Sequence, residues 1–268
     1  MSKTSSEPEA LYHLDGAHAV PTEWTQGPWD PNAQHGGAVA ALVTRFLEAE
    51  PRPASMRLAR LTMDLFRGVP VAPLLVETRI VRQGRRLQLV DALVQHEGQS
   101  VARASGLFIR REEVPGVSAS DSTIAATLPE QGVSPASAAS LPGYIRALEF
   151  RSQGTRERGA WSSAIWCRLR VPVVAGEVAS PCVRLAAGAD FASGLASDLD
   201  LERYVAINPD LSVAIEREPR STWVGVEGET HVCADGMGHS HGSIFDLEGR
   251  VAQVQASLFI DARTKPGV

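Results

Sequence analysis

The chain has 268 residues, 44% of them hydrophobic, enough to bury one large core or two ordinary ones. Its 31 acidic and 26 basic side chains leave a net charge of -5 spread along the whole length, so there is no basic stripe to hold a phosphate backbone and nucleic acid is excluded as an expected partner. The N-terminus, MSKTSSEPEA, has no apolar signal core, and no apolar run reaches the roughly 18 residues a bilayer span needs, so the expectation is a soluble, cytoplasmic protein.

In chain order, the first informative stretch is GPWDPNAQHGGAVAALVTRF, residues 27–46. A turn-forming run with Pro28, Asp30, Pro31 and Asn32 leads to His35 and the pair Gly36 and Gly37, where a run of helix formers begins. Period-two alternation follows: in RLARLTMDLF, Ala59, Leu61, Met63 and Leu65 share one face, as in a half-buried strand. PLLVETRIV, RRLQLVDALVQ and SVARASGLFIRR predict three more strands, parted by Gly84 and by Glu97 with Gly98, and the four form an antiparallel meander. Residues 112–142 lose periodicity and fill with Pro, Gly, Ser and Ala, which marks a connector.

The second half repeats the first. EGQSVARASGLFI superimposes without a gap on EGRVAQVQASLFI, setting Gly98 over Gly249, Leu107 over Leu258 and Phe108 over Phe259. LTMDLFRGVP matches LSVAIEREP, with Leu61 over Leu211 and Arg67 over Arg217. A repeat this long means duplicated domains rather than a solenoid. The organisation expected is a module at 1–115, a connector at 116–142 and a second module at 143–268, each with one helix and four or five antiparallel strands wrapped around it, an α+β architecture. The second helix is expected within EVASPCVRLAAGADFASGLAS, and the strands in YVAINPDLSVAIERE, TWVGVEGETHV, GHSHGSIFD and RVAQVQASLFIDAR. Cys167, Cys182 and Cys233 fit neither metal nor redox spacing and read as buried small hydrophobes. His239 and His241 share one strand face, but with no third ligand near them in sequence they read as a solvated strand and no metal site is assigned. Trp161, Trp166 and Trp223 read as packing groups first, with the lining of an apolar pocket as the alternative.

GPWDPNAQHGGAVAALV in the first half, and ADFASGLAS followed by INPDLSVAIEREPRSTWVGVEGE in the second, resemble the double hot-dog acyl-CoA thioesterases of the type II, thioesterase-like superfamily. The likeness covers about residues 20–263. It implies two hot-dog modules with their sheets joined into one, an acyl-thioester tunnel between them, an acyl-CoA or other acyl-thioester substrate, and further association into a homo-oligomer through the sheets. No metal or redox cofactor is implied.

The first amides of a helix lack intrahelical partners and lie at the positive end of its dipole, so Gly36 and Gly37 are candidates to hold the thioester oxygen; two glycines there serve tight helix packing as well. His35 is either a polarising or CoA-binding group or a cap, and Asp30 caps the turn. In the family an aspartate, a hydroxyl residue and a glutamine hold the attacking water. By local motif these positions fall on Asp190, which otherwise serves as a helix N-cap, on Asn208, which otherwise is a turn residue, and on the last strand. There the glutamine position falls on Ala256; Gln255, the catalytic candidate, lies one residue off and enters the site only if a bulge turns it inward. Asp64 and Ser105 offer a spare polar pair in the first half, although Asp64 is also placed to pair with Arg60 or Arg67. Thioester hydrolysis is the leading reading. The alternatives are a hot-dog protein that binds acyl thioesters or apolar ligands with weak or lost hydrolysis, and a hydratase or dehydratase using Asp30 with His35.

Overall fold

The computed structural model describes residues 9–118, 143–152, 156–157, 160–161, 164–195, 199–200 and 203–263. The strands are β1 (Tyr12–Asp15), β2 (His18–Pro21), β3 (Met56–Leu65), β4 (Leu74–Gln83), β5 (Leu87–His96), β6 (Gln99–Arg110), β7 (Leu148–Arg151), β8 (Arg156–Glu157), β9 (Ala160–Trp161), β10 (Ile165–Leu169), β11 (Tyr204–Ile207), β12 (Asp210–Ile215), β13 (Val224–Val232), β14 (Met237–Asp246) and β15 (Gly249–Ala262). The helices are α1 (Gly36–Ala49), α2 (Gly143–Arg146), α3 (Pro181–Ala189) and α4 (Ala192–Leu195).

Apart from the small β8–β9 pair, the strands form one antiparallel sheet in the order β1-β2-β4-β5-β6-β3-β12-β15-β14-β13-β10-β7, with β11 also on β15. The halves meet where β3 pairs with β12. Thr62 faces Ser212 there, flanked by Leu61 opposite Val213 and Met63 opposite Leu211. Because Leu61 and Leu211 are repeat equivalents, each half offers the same strand to the other and a pseudo-twofold axis passes between Thr62 and Ser212. Outward from the seam both halves run through matching strands, β6-β5-β4 and β15-β14-β13.

Each half wraps its sheet around a helix. In α1 every residue from Gly37 to Thr44 is buried, a helix apolar all round that has to be enclosed rather than laid on a surface. In α3, Ser180 caps the start by accepting the Val183 amide, Pro181 occupies the first turn, and Leu185–Ala189 are buried. The expected second helix breaks at Asp190 and Phe191 and resumes as the short α4, and the expected strand 204–218 breaks at Asn208–Pro209, where proline supplies no ladder donor. No helix among the described residues is long and apolar enough to cross a membrane.

Three readings from sequence are corrected. The gapless superposition of the last strands slips by one residue: Phe108 is buried in β6, whereas Phe259 is 55% exposed and Leu258 is its inward counterpart. Both strands carry a register shift near their start, beside Val101 and beside Val251, and the identical SLFI-like endings sit one residue out of phase with it. In β3 a register shift between Leu58 and Arg60 brings Leu58 into the core and leaves Ala59 half-buried. Cys233 is exposed, while Cys167 and Cys182 are buried as expected, with burial pushing the Cys167 thiol up to about 12. The β1–β2 hairpin, which adds to the sheet at β4, was not foreseen in so short a polar segment. Residues 111–118 are exposed and without strand; the rest of the expected connector, 119–142, lies outside the described residues.

Candidate active site

The start of α1 and the end of α3 meet. Tight approach is possible because Gly37 has no side chain: a Cβ there would lie 2.8 Å from the carbonyl oxygen of Ala187 and 3.0 Å from the Tyr144 ring. Tyr144 Oη donates to that same Ala187 carbonyl at 2.7 Å, which accounts for the last turn of α3. A Cβ on Gly36 would lie 2.8 Å from both carboxylate oxygens of Asp190. The two glycines thus let the tip of α1 pack directly on the end of α3 and on the Asp190 carboxylate.

Asp190 follows α3 as its C-terminal cap residue, not as the N-cap read from sequence, and its side chain reaches the other helix. It is 5% exposed. Asp190 Oδ2 accepts the Gly37 amide at 3.0 Å and Oδ1 accepts Asn208 Nδ2 at 2.7 Å. His35 Nδ1 lies 3.0 Å from Asp190 Oδ2 and also 3.0 Å from the Gly37 nitrogen. One ring nitrogen cannot donate to the carboxylate and accept from the amide together. With Nδ1 unprotonated, its lone pair would face an anion at that distance, so the proton belongs on Nδ1 and both groups donate to Asp190. Burial pushes the Asp190 carboxyl up, but the bonds from His35, Asn208 and Gly37 outweigh it and hold the group below its usual range. The positive end of α1 acts in the same direction. A cap normally supplied by a neighbouring residue is thus supplied from 153 positions away.

The His35 ring packs against both Tyr144, at 4.6 Å between centroids, and Phe191, at 5.0 Å, which touch each other at 6.1 Å, and Phe150 is edge-on to Phe191 at 5.3 Å. Tyr144, Phe150 and Phe191 were not singled out from sequence; the spacing of isolated aromatics gives no sign that α2, β7 and the end of α3 converge. The Gly36 amide has no acceptor among the described residues, whereas the Gly37 amide is committed to Asp190. This revises the sequence expectation that both amides face a substrate.

Asp190, Asn208, His35, Gly36 and Gly37 are brought together. Gln255 is not: it is exposed on the outer face of β15, beside His241, while Ala256 is buried. The register shift in β15 falls near Val251, too far away to turn Gln255 inward. The strand neighbour of Ala256 is Ser240, whose buried hydroxyl has no partner among the described residues, as is also true of Thr230, the next residue across the ladder. Asp30 is exposed and accepts the Asn32 amide within its own turn, so the Asp30 with His35 pair of the hydratase reading does not form. Asp64 is engaged by Arg103 at 2.7 Å, rather than by Arg60 or Arg67. Trp166 and Trp223 pack with Ala164 and Phe245 in a separate small core; the Trp161 side chain lies outside the described residues. Clefts lined by Glu48, Arg52 and Glu218, by Arg45, Glu177 and Val183, and by Arg57, Arg110 and Glu112 do not include Asp190.

The chain matches family models described as the acyl-CoA thioesterase N-terminal domain, over residues 25–109, and the acyl-CoA thioesterase C-terminal domain, over residues 122–260. No curated protein matches it by sequence. Among solved structures it is similar to a protein of unknown function with a hot-dog fold from Alicyclobacillus acidocaldarius, at 18% identity and a TM-score of 0.70, covering 96% of this chain and 98% of that one. It is likewise similar to an acyl-CoA thioesterase II from Mycobacterium marinum, at 18% identity and a TM-score of 0.64, covering 92% of this chain and 98% of that one. At such identities the likeness establishes the fold. With both halves matched in order, on one sheet folded around paired helices, the chain belongs to the acyl-CoA thioesterase family and has its double hot-dog fold.

Proposed function

We propose that the chain hydrolyses an acyl-CoA thioester with an activated water, using Asp190 as the anionic centre. The observation that carries this reading is the buried carboxylate held by three donors, His35 and the Gly37 amide at the start of α1 and Asn208 between β11 and β12. A carboxylate has about four acceptor directions, so three donors leave one for the hydrogen of a water. Asp190 orients that water and takes its proton as the oxygen attacks the thioester carbon; the three bonds that hold the carboxyl low make it a weak base, so placing the water is the larger part of its role. The unpartnered amide of Gly36 holds the carbonyl oxygen as it becomes negative, and CoA thiolate departs. Asn208 and His35 are positioning residues that fix the carboxylate. The acyl chain occupies a tunnel between modules 1–115 and 143–268, joined by residues 116–142.

The glutamine that the family uses to hold the water is replaced here by Ala256, and Ser240 and Thr230 supply hydroxyls beside that position. Their unmet hydrogen-bonding capacity supports this assignment, since buried polar groups ordinarily have partners. The same replacement favours a second reading, an acyl-thioester-binding protein with weak hydrolysis. Release of free CoA from acyl-CoAs of several chain lengths separates them. Turnover that falls on Asp190→Asn supports the hydrolase, and saturable binding without turnover at any chain length supports the second reading.

A further inference from the structure

The hairpin of β13 and β14 carries an arrangement unrelated to Asp190. Its register places His231 opposite His239 and Glu229 opposite His241, so three imidazoles and one carboxylate occupy four adjacent outward positions. Inward positions of the same strands face the core: a Cβ on Gly228 would meet the carbonyl of Ala192 at 3.0 Å, and Ser240 is buried. The cluster is therefore on the opposite face of the sheet from α4.

The three rings stack, with centroids 4.8 Å apart for His231 and His239, 5.7 Å for His231 and His241, and 5.9 Å for His239 and His241. Their candidate donor nitrogens all lie within 4.8 Å of one another. Glu229 Oε2 lies 3.9 Å from His231 Nε2 and 3.8 Å from His241 Nε2. The side chains of His231 and His241 are 55% and 53% exposed, so only the stacking of the rings on one another has to give for them to turn. A tetrahedral ion with ligands at about 2.0–2.1 Å sets them about 3.3 Å apart, a closure of at most about 1.5 Å. From sequence, His239 and His241 lacked a third ligand; strand pairing supplies two, His231 and Glu229.

We infer that His231, His239 and His241, with Glu229, form a binding site for a divalent transition-metal cation, tying β13 to β14 on the outer face of the sheet. Imidazole suits zinc, nickel and copper, and a carboxylate as fourth donor completes a tetrahedral zinc set. Calcium and magnesium, which take oxygen ligands, are not expected to bind. The ion clamps two strands and has no part in the chemistry at Asp190.

Zinc binding to the full chain without a polyhistidine tag, by equilibrium dialysis and metal analysis, tests this. One zinc per chain is expected. His231→Ala, His239→Ala and His241→Ala should each weaken binding by about tenfold or more, and Asp190→Ala and His35→Ala should leave it unchanged. With copper in place of zinc, electron paramagnetic resonance should report nitrogen ligation that declines in each histidine variant. Because the positions are exposed, the variants should match the wild type in metal-free melting temperature. Absence of zinc binding, binding equal in wild type and the triple histidine variant, or one zinc per two chains would each overturn the assignment.

Discussion

The carboxylate of Asp190, just past the end of α3, accepts the amide of Gly37 in the first turn of α1 at 3.0 Å, so one buried anion joins the central helices of both halves. That single contact carries structural and chemical consequences that different substitutions can separate.

Gly36→Ala and Gly37→Ala should fail differently. A methyl group at Gly37 meets the backbone carbonyl of Ala187, which cannot turn aside, so the helices must part; a loss of about 1–3 kcal/mol in denaturant unfolding is expected. At Gly36 the methyl group meets the Asp190 carboxylate, a side chain that can rotate away once its three bonds break. Activity should then fall by more than the stability change explains, measured as kcat against the unfolding midpoint.

Acid should unfold the chain through Asp190 and Asp246. Both carboxyls lie below their usual range, Asp246 because burial, which raises it, is outweighed by Arg217 and by the amides of Arg220 and Glu248. A depressed folded-state value means stability fully present above the unfolded value near 3.9 and lost as pH falls through the folded value. Thermal unfolding of wild type should therefore lose stability below about pH 4, and Asp190→Asn should lose less over that interval.

Asp246 is fully buried and takes two bonds from Arg217, at 2.7 and 2.6 Å. Asp246→Ala leaves the guanidinium and two amides without their acceptor at the turn that begins β15. The expected cost is about 2–4 kcal/mol, taken toward the low side of values for buried pairs because Arg217 is partly exposed, and urea unfolding measures it.

Gln255→Ala should leave CoA release unchanged, since that side chain is on the outer face of β15. Ser240→Ala should lower kcat by about 10²-fold, the low end of what one positioned polar group contributes. The opposite ranking would return the water-holding role to Gln255.

Much of this architecture was legible locally. Alternation in residues 57–66 and the glycine pair after His35 marked a strand and a helix start, because the signals lie within the elements they specify. What escaped depended on register and distance. The one-residue slip between the repeat endings could be seen only once the shifts beside Val101 and Val251 were placed. Asp190 and Asn208 were singled out as site residues, but the Gly37 amide as the partner of Asp190 was not, since Asp190 was also readable as the start of a helix and the contact spans 153 positions. His231 became a neighbour of His239 only through hairpin pairing.

The central claim is that the Asp190 carboxylate activates water for thioester hydrolysis. Steady-state CoA release by wild type and Asp190→Asn, at matched folded fraction and across acyl-chain lengths, tests it most directly. The account predicts a measurable wild-type rate that falls by about 10²–10⁴-fold in the variant. A variant that retains the wild-type rate would contradict it.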